Sequence, residues 1–221
     1  MTTDVLILAA FDPELAPLRA ALGDGLAAQV GALSIVARTT GVGLPAAAVG
    51  ATLHIVELAP RAVVLIGTCG AYLEAHLGIG DVVVAGSLRL IDPASFDGMT
   101  EFPEPMAIAA QADPAMNEAF AASGARSVCV GTTLAITVDA AAAAKIARGS
   151  GAEVEHLEAH GVSMACAARG VPFAAVLGVA NLVGPSGRAE WREHHRAAEV
   201  AAAACVLRWL FAPDLNVRGT H

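Results

Sequence analysis

The residues best suited to catalysis or ligand binding are two carboxylates and one amide in the segment 153–191. Glu155 and Glu158 are three positions apart, so one helical turn could place both on one side. Asn181 ends the apolar segment PFAAVLGVAN. A buried carboxylate can accept hydrogen bonds from ribose hydroxyls or stabilise a cationic sugar ring, and an amide suits the edge of a purine. The simpler alternatives are a solvent-exposed helix start and an ordinary turn residue.

A third carboxylate lies near the start of the chain. Glu14 follows the first apolar segment and is two positions beyond Asp12. As a general base it would need partial burial to raise its pKa, whereas spacing alone favours a first-turn carboxylate stabilised by the helix dipole. Nearby glycines could let backbone approach a ligand, but they form neither GxGxxG nor a Walker loop; they are Gly41, Gly43, Gly67 and Gly70.

The sequence gives little support for a metal or an organic cofactor, and we predict neither. His156 and His160 are four positions apart but lack a third ligand nearby. The four cysteines are widely separated, which is typical of reduced, buried thiols. Arg188 could receive an anionic group, and Trp191 could stack on a ligand or simply pack in the core.

Composition and charge indicate a small-molecule partner. The chain has 221 residues, is 56% hydrophobic and carries a formal net charge of −8, which argues against nucleic-acid or membrane binding. The N-terminal residues lack a basic leader, and no apolar run approaches the ~20 residues of a membrane span. We therefore expect a cytoplasmic protein.

The elements that must position these side chains alternate along the chain. Apolar segments predict strands at 5–10, 33–38, 62–66, 82–91, 127–133 and 172–179. Helical spacing or capping predicts helices at 12–22, 45–57, 114–122, 139–148, 158–169 and 189–211. This order predicts one α/β domain over 1–212, a three-layer α/β/α sandwich around a mostly parallel twisted sheet, with a tail at 213–221.

The predicted topology also locates a site. Ligands of such sheets lie beyond the carboxyl ends of the strands, where Glu14, Thr68 and Asn181 fall, so these should converge with Glu155 and Glu158. Residues 67–71 are predicted to form a glycine turn, and the irregular segment 92–105 a mobile loop over the site.

Four segments, taken in order, resemble the purine nucleoside phosphorylase and nucleosidase superfamily. They are AAFDPE, TTGVGLPAAAVGATL, VVLIGTCGAYLEAHLGIGDVVVAG and EHLEAHGVSMACAARGVPFAAVLGVAN. The resemblance implies a nucleoside phosphorylase-like fold and a homo-oligomer, a dimer or larger. It implies that Glu14 activates the nucleophile, Glu158 holds the ribose hydroxyls and Asn181 binds the base. The remaining implied substrate contacts are His156, Leu157, Thr68, Gly70, Phe102 and Arg188.

Two details favour one branch of that superfamily. Phosphorylases hold phosphate with arginines at two places. In this chain those places carry Glu14 with its neighbours and residues 65–66, so phosphate would lack its charge partners and water is the expected nucleophile. Methylthioadenosine nucleosidases end the late strand with Ser-Asp, whereas Ala180 and Asn181, with Arg188 and Trp191 beyond, resemble futalosine hydrolases.

The resemblance therefore implies an N-ribosyl hydrolase acting on a purine nucleoside, first of all futalosine in menaquinone biosynthesis. The alternatives are a methylthioadenosine/S-adenosylhomocysteine nucleosidase, a purine nucleoside phosphorylase and a non-catalytic nucleoside-binding protein. The chain departs from the branch at His156, Leu157, Leu177 and Ala180.

Overall fold

The computed structural model describes residues 3–212, which form a nine-stranded sheet with helices on both faces. The strands are β1 Val5–Ala9, β2 Ala27–Val30, β3 Leu33–Thr39, β4 Ala62–Ala71, β5 Val82–Leu90, β6 Ala109–Gln111, β7 Arg126–Thr132, β8 Val154–Glu155 and β9 Phe173–Leu182. The helices are α1 Asp12–Leu15, α2 Arg19–Leu22, α3 Leu44–Leu58, α4 Pro114–Ala122, α5 Ala140–Ser150, α6 Ala159–Ala167 and α7 Gly187–Leu210.

The sheet is mixed. Its order is β2-β3-β1-β4-β8-β7-β5-β6, and β9 pairs with both β4 and β5. Pairing is parallel for β1–β3, β1–β4, β4–β9, β5–β7 and β7–β8, and antiparallel for β2–β3, β4–β8, β5–β6 and β5–β9. The α/β sandwich is thus confirmed, with more antiparallel pairing than the alternation of elements suggested.

The central strands are buried on both faces, which explains their continuous apolar sequences. Alternate side chains of β1 enter different clusters: Leu6 and Leu8 pack in one, Val5 and Ile7 in the other. Helix α7 lies directly on β9. The approach is so close that a Cβ added at Gly178 would lie 2.2 Å from the carbonyl oxygen of Ala198. The core therefore fixes β9 against α7, and these two elements carry one side of the site.

The structure differs from the sequence prediction at several boundaries. The predicted helix 12–22 is broken into α1, a 3₁₀ turn at Ala16–Leu18, and α2, since Pro17 cannot donate within a helix and clashes with the preceding turn. The predicted glycine turn 67–71 is wrong, because these residues continue β4. The short strands β2 and β6 were not predicted, because they consist mainly of alanine and give no clear strand pattern. The predicted tail 213–221 lies outside the described residues.

The irregular segment after β5 is partly ordered by side chains. Asp92 caps a 3₁₀ turn at Pro93–Asp97 by accepting from the N–H of Ala94. Lys145 on α5 pairs with Asp97, and the Phe96 ring fills the space beside Gly149. Within residues 3–212, no helix is both long and apolar enough to cross a membrane.

Candidate active site

A cavity of about 360 Å³ opens at the carboxyl ends of β1, β4 and β9. Its wall combines the end of β1, the second half of β4, the segment after β7, the turn from β8 into α6, and the start of α7. The lining residues are Ala10, Phe11, Glu14, Val42, Thr68, Cys69, Gly70, Ile136, Thr137, Val138, Glu155, His156, Leu157, Glu158, Asn181, Gly184, Gly187, Arg188 and Trp191. This is the edge at which the parallel strand order places a ligand.

Glu14 is held in the cavity wall by two backbone amides. It is only 4% exposed, and its Oε2 accepts from the N–H of Ala10 at 3.0 Å while Oε1 accepts from the N–H of Thr68 at 3.3 Å. The strand beside it must be bare at Gly67, because a Cβ there would lie 2.7 Å from Glu14 Oε1. The carboxylate is therefore fixed in place by the backbone directly after β1 and by that of β4.

The surroundings of Glu14 raise its pKa toward neutral pH, so the ionised form that can act as a base becomes more populated as pH rises toward 8. Burial, with the nearby carboxylates of Glu158 and Glu199, raises the pKa of Glu14 to about 8, against the two amide hydrogen bonds that lower it. Glu199 on α7 is itself buried, and its Oε1 has no hydrogen-bond partner among residues 3–212. A carboxyl with such a pKa can take a proton from water and later release it.

Glu158 lies at the start of α6 and is also buried. Its Oε1 accepts from the N–H of Gly43 at 2.7 Å, which joins the loop before α3 to the loop before α6. Gly43 has φ 86°, a backbone conformation that favours glycine, so this loop presents its amide to the carboxylate without strain. The other oxygen, Oε2, lies 3.3 Å from Nδ1 of His156.

His156 caps the first turn of α6 from the cavity wall. Its Nδ1 accepts from the N–H of Glu158 at 3.2 Å and from the N–H of Ala159 at 3.1 Å. Burial lowers the pKa of His156, although the carboxylate of Glu158 acts in the opposite direction. Because Nδ1 accepts from two amides it carries no proton, and α6 fixes the orientation of the ring.

Glu155 has a different role from Glu158. Its Oε2 accepts from the hydroxyls of Tyr72 and Thr137, and its Oε1 accepts from the N–H of Thr137 at 2.9 Å. These bonds fasten the segment after β7, which supplies Ile136, Thr137 and Val138 to the cavity. Because its oxygens are occupied by the protein, Glu155 holds the wall rather than a ligand.

Asn181 lies at the end of β9 between two glycines. A Cβ at Gly70 would lie 2.8 Å from Asn181 Nδ2, and one at Gly187 would lie 3.0 Å from the same atom. Nδ2 donates to the carbonyl oxygen of Leu182 at 2.8 Å, which orients the amide. Glu190 fixes the following turn by accepting from the N–H of Leu182 and the hydroxyl of Ser186.

Trp191 and Thr68 are joined across the cavity wall. The indole Nε1–H donates to Thr68 Oγ1 at 3.0 Å, and the indole stacks on the His195 ring with centroids 4.4 Å apart. Thr68 can still donate its own hydroxyl proton. Arg188 is exposed at the cavity and forms no ion pair with another residue of the range 3–212.

The structure brings together all but one of the site residues predicted from the sequence. Leu157 and Gly70 line the cavity, whereas Phe102 is half-buried in the segment after β5 and is absent from the lining. Sequence reasoning missed Phe11, Val42 and the segment 136–138. The alternation of Leu134, Ile136 and Val138, three exposed apolar residues after β7, was the available signal.

Neither metal nor thiol chemistry is indicated by the described part of the chain. It contains no group of three or more His, Cys, Asp or Glu side chains placed to hold a metal ion. Cys69 lines the cavity, but burial raises the pKa of its thiol, so it remains protonated.

The chain is similar to known proteins of one superfamily. The model of the phosphorylase superfamily matches residues 5–210. Futalosine hydrolase from Streptomyces coelicolor is 44% identical over 80 residues, 36% of this chain and 34% of that protein. 5′-Methylthioadenosine/S-adenosylhomocysteine nucleosidase from Shewanella putrefaciens is 31% identical over 93 residues, 38% of this chain and 40% of that protein. The matched segments thus span less than half of either relative.

Solved structures share the fold over nearly the whole chain. Futalosine hydrolase of Helicobacter pylori has a TM-score of 0.84 at 16% identity, covering 97% of this chain and 99% of that one. Methylthioadenosine/S-adenosylhomocysteine nucleosidase from the same organism, with butyl-thio-DADMe-Immucillin-A, has a TM-score of 0.83 at 16% identity, covering 94% and 97%. At these identities the likeness shows the fold, and together with the family match over 5–210 it establishes that the chain belongs to the phosphorylase superfamily.

Proposed function

We propose that this chain is an N-ribosyl hydrolase that cleaves the glycosidic bond of a purine nucleoside. The observation that carries the proposal is the buried Glu14 carboxyl, with a pKa of about 8, in the wall of the same cavity as Glu158. Enzymes that break glycosidic bonds pass through an oxocarbenium-like transition state and commonly use a pair of carboxyl groups. Glu14 and Glu158 supply such a pair.

The proposed reaction divides the work between these residues. The bond between C1′ and the purine nitrogen breaks with its electrons leaving on the base. Water bonds to C1′ and gives a proton to Glu14. Glu158 accepts hydrogen bonds from the ribosyl hydroxyls and stabilises the positive charge of the ring. Asn181, which uses one N–H on Leu182, has a second N–H and its Oδ1 to bind the edge of the departing base. The base takes up a proton from solvent as it leaves, and Glu14 returns the proton of the attacking water to solvent, so that one water is added in total.

Water is the better nucleophile for this cavity. Its lining contains three carboxyl side chains, Glu14, Glu155 and Glu158, and one guanidinium, that of Arg188. A phosphate ion needs several cationic or N–H donors to replace its hydration. A predominantly acidic wall therefore favours hydrolysis over phosphorolysis.

Among purine nucleosides we propose futalosine first and methylthioadenosine second. The neutral amide of Asn181 suits an oxopurine such as hypoxanthine, since it can both donate and accept. Arg188, exposed at the cavity, could pair with a carboxylate on the 5′ substituent. Local similarity to the Streptomyces coelicolor futalosine hydrolase, 44% over 80 residues, supports the same order.

A direct assay tests the proposal. The protein is incubated with futalosine, 5′-methylthioadenosine, S-adenosylhomocysteine and inosine, with and without phosphate, and free base is followed by chromatography. We expect phosphate-independent release of hypoxanthine from futalosine. Strict dependence on phosphate would assign a phosphorylase, and release from methylthioadenosine alone would assign that nucleosidase activity. Tight binding without release of base would assign a nucleoside-binding protein.

A further inference from the structure

The ring of His156 is oriented by groups that cannot reverse their hydrogen bonds. The backbone N–H groups of Glu158 and Ala159 both point at Nδ1, at 3.2 and 3.1 Å. A proton on Nδ1 would face both of these donors and leave the first amides of α6 without an acceptor. It would gain one hydrogen bond, to Glu158 Oε2 at 3.3 Å, for the two that are lost. The proton of the neutral ring therefore lies on Nε2.

The Nε2–H of His156 is a donor without a partner among the residues that the structure describes. No residue of the range 3–212 accepts from it, yet Nε2 is not one of the unpaired atoms that are sealed from solvent. His156 is only 5% exposed and lines the cavity, so this remaining accessible edge faces the cavity. His160 is different, because its Nε2 is paired with the carbonyl oxygen of Ala107 at 3.0 Å and its Nδ1 is sealed.

We propose that the His156 Nε2–H donates to a ribosyl hydroxyl oxygen of the substrate and makes the cavity selective for ribonucleosides over deoxyribonucleosides. This inference rests on the proposed function, since it adds a second partner to the sugar that Glu158 binds. Glu158 Oε2 lies 3.3 Å from the near side of the imidazole, and Nε2 is on its far side, at most one ring width further away. A sugar bound to Glu158 thus lies within reach of both.

The chemistry of the two groups selects a hydroxyl. A carboxylate only accepts hydrogen bonds, and a neutral Nε2–H only donates. A hydroxyl can satisfy both at once, because it donates its proton to Glu158 and accepts from His156. A deoxy position can satisfy neither and would leave a buried donor and a buried carboxylate oxygen unpaired, which is the arrangement that gives strong discrimination against a missing hydroxyl.

Nuclear magnetic resonance tests the tautomer without reference to activity. Long-range ¹H–¹⁵N correlation spectra of the free protein should show His156 as the neutral Nε2–H form, assigned by comparison with the His156→Asn variant. A ring protonated on Nδ1, or a doubly protonated ring at pH 7, overturns the proposal.

Binding measurements test the selectivity. Calorimetry is carried out in a Glu14→Gln background with inosine, 2′-deoxyinosine and 3′-deoxyinosine. His156→Asn keeps an acceptor for the α6 amides but is too short to place a donor at the Nε2 position, and His194→Asn on the surface of α7 is the matched control. We expect one deoxy analogue to bind about 100-fold more weakly than inosine, and His156→Asn to reduce that ratio about 10-fold.

The outcomes separate the two proposals. An unchanged ratio in His156→Asn, with inosine still binding, overturns the role of His156 alone. Absence of inosine binding in both backgrounds, together with no base release from any nucleoside by the unmodified protein, overturns the proposed function and this inference with it. Equal losses in His156→Asn and His194→Asn would show a general effect of substitution and overturn the assignment.

Discussion

Replacing Glu14 by glutamine should lower the rate of catalysis and raise the free energy of unfolding, and the gain in stability should depend on pH. The folded protein holds this carboxyl with a pKa of about 8, against 4.5 for the ordinary value. Between these values the folded state binds a proton that the unfolded chain has lost, so the free energy of unfolding of the unmodified protein falls as pH rises. Below 4.5 the contribution is fully present, and above about 8 it is lost.

The size of the effect follows from the same shift. At about 1.4 kcal/mol per pKa unit, a change from 4.5 to about 8 corresponds to about 5 kcal/mol. Glutamine carries no charge at any pH, so the free energy of unfolding of the variant relative to the unmodified protein should rise by up to that amount across this window. The amide hydrogen bonds from Ala10 and Thr68 are altered at every pH and shift the difference by a constant.

Urea denaturation at intervals from pH 4.5 to 9, followed by circular dichroism, measures this difference. The rate at which the variant releases the purine should fall by at least about 100-fold, the usual cost of losing a general base. Glu57→Gln, an exposed position on α3, is the matched control and should retain activity. A stability difference that does not change with pH would refute the buried, protonated state of Glu14, and full activity in Glu14→Gln would refute its role as the base.

The remaining predictions concern residues that support this base and its cavity. Glu199→Gln removes a charge that raises the pKa of Glu14, so the acid limb of the kcat/KM profile should move to lower pH; an unmoved limb would show that the two carboxyls are not coupled. Glu155→Ala should lower the free energy of unfolding by about 2–4 kcal/mol and raise KM, since it frees the segment after β7; denaturation and steady-state kinetics measure both. Gly67→Ala would place a Cβ 2.7 Å from Glu14 Oε1 and should lower kcat at least about 10-fold, whereas Gly78→Ala, with no contact closer than 3.8 Å, should leave kcat unchanged.

Local patterns predicted most of the fold because they are set by neighbouring residues. The apolar run of β1, the Pro45 start of α3 and the Asp139 cap of α5 all act within a few positions. The prediction was wrong where tertiary pairing overrides local preference. Gly67 and Gly70 continue β4 instead of turning, because β9 supplies hydrogen-bond partners on that side as far as Ala71.

The sequence by itself determined which residues could do chemistry. Glu14, Glu158 and Asn181 interrupt or follow apolar segments, and a parallel strand order brings such positions to one edge. The structure places all three in the wall of one cavity.

Only the tertiary structure decided how those residues differ. Glu155 and Glu158 look alike in sequence. The hydroxyl of Tyr72, 83 positions away, donates a hydrogen bond to Glu155. The N–H of Gly43, 115 positions from Glu158, donates to one oxygen of Glu158, and the other oxygen faces His156. The raised pKa of Glu14 likewise depends on burial and on the packing of other elements, and the Nε2–H tautomer that we infer for His156 depends on the amides at the start of α6. Such contacts cannot be read from spacing, because the free energy of a charge or a proton depends on everything packed around it.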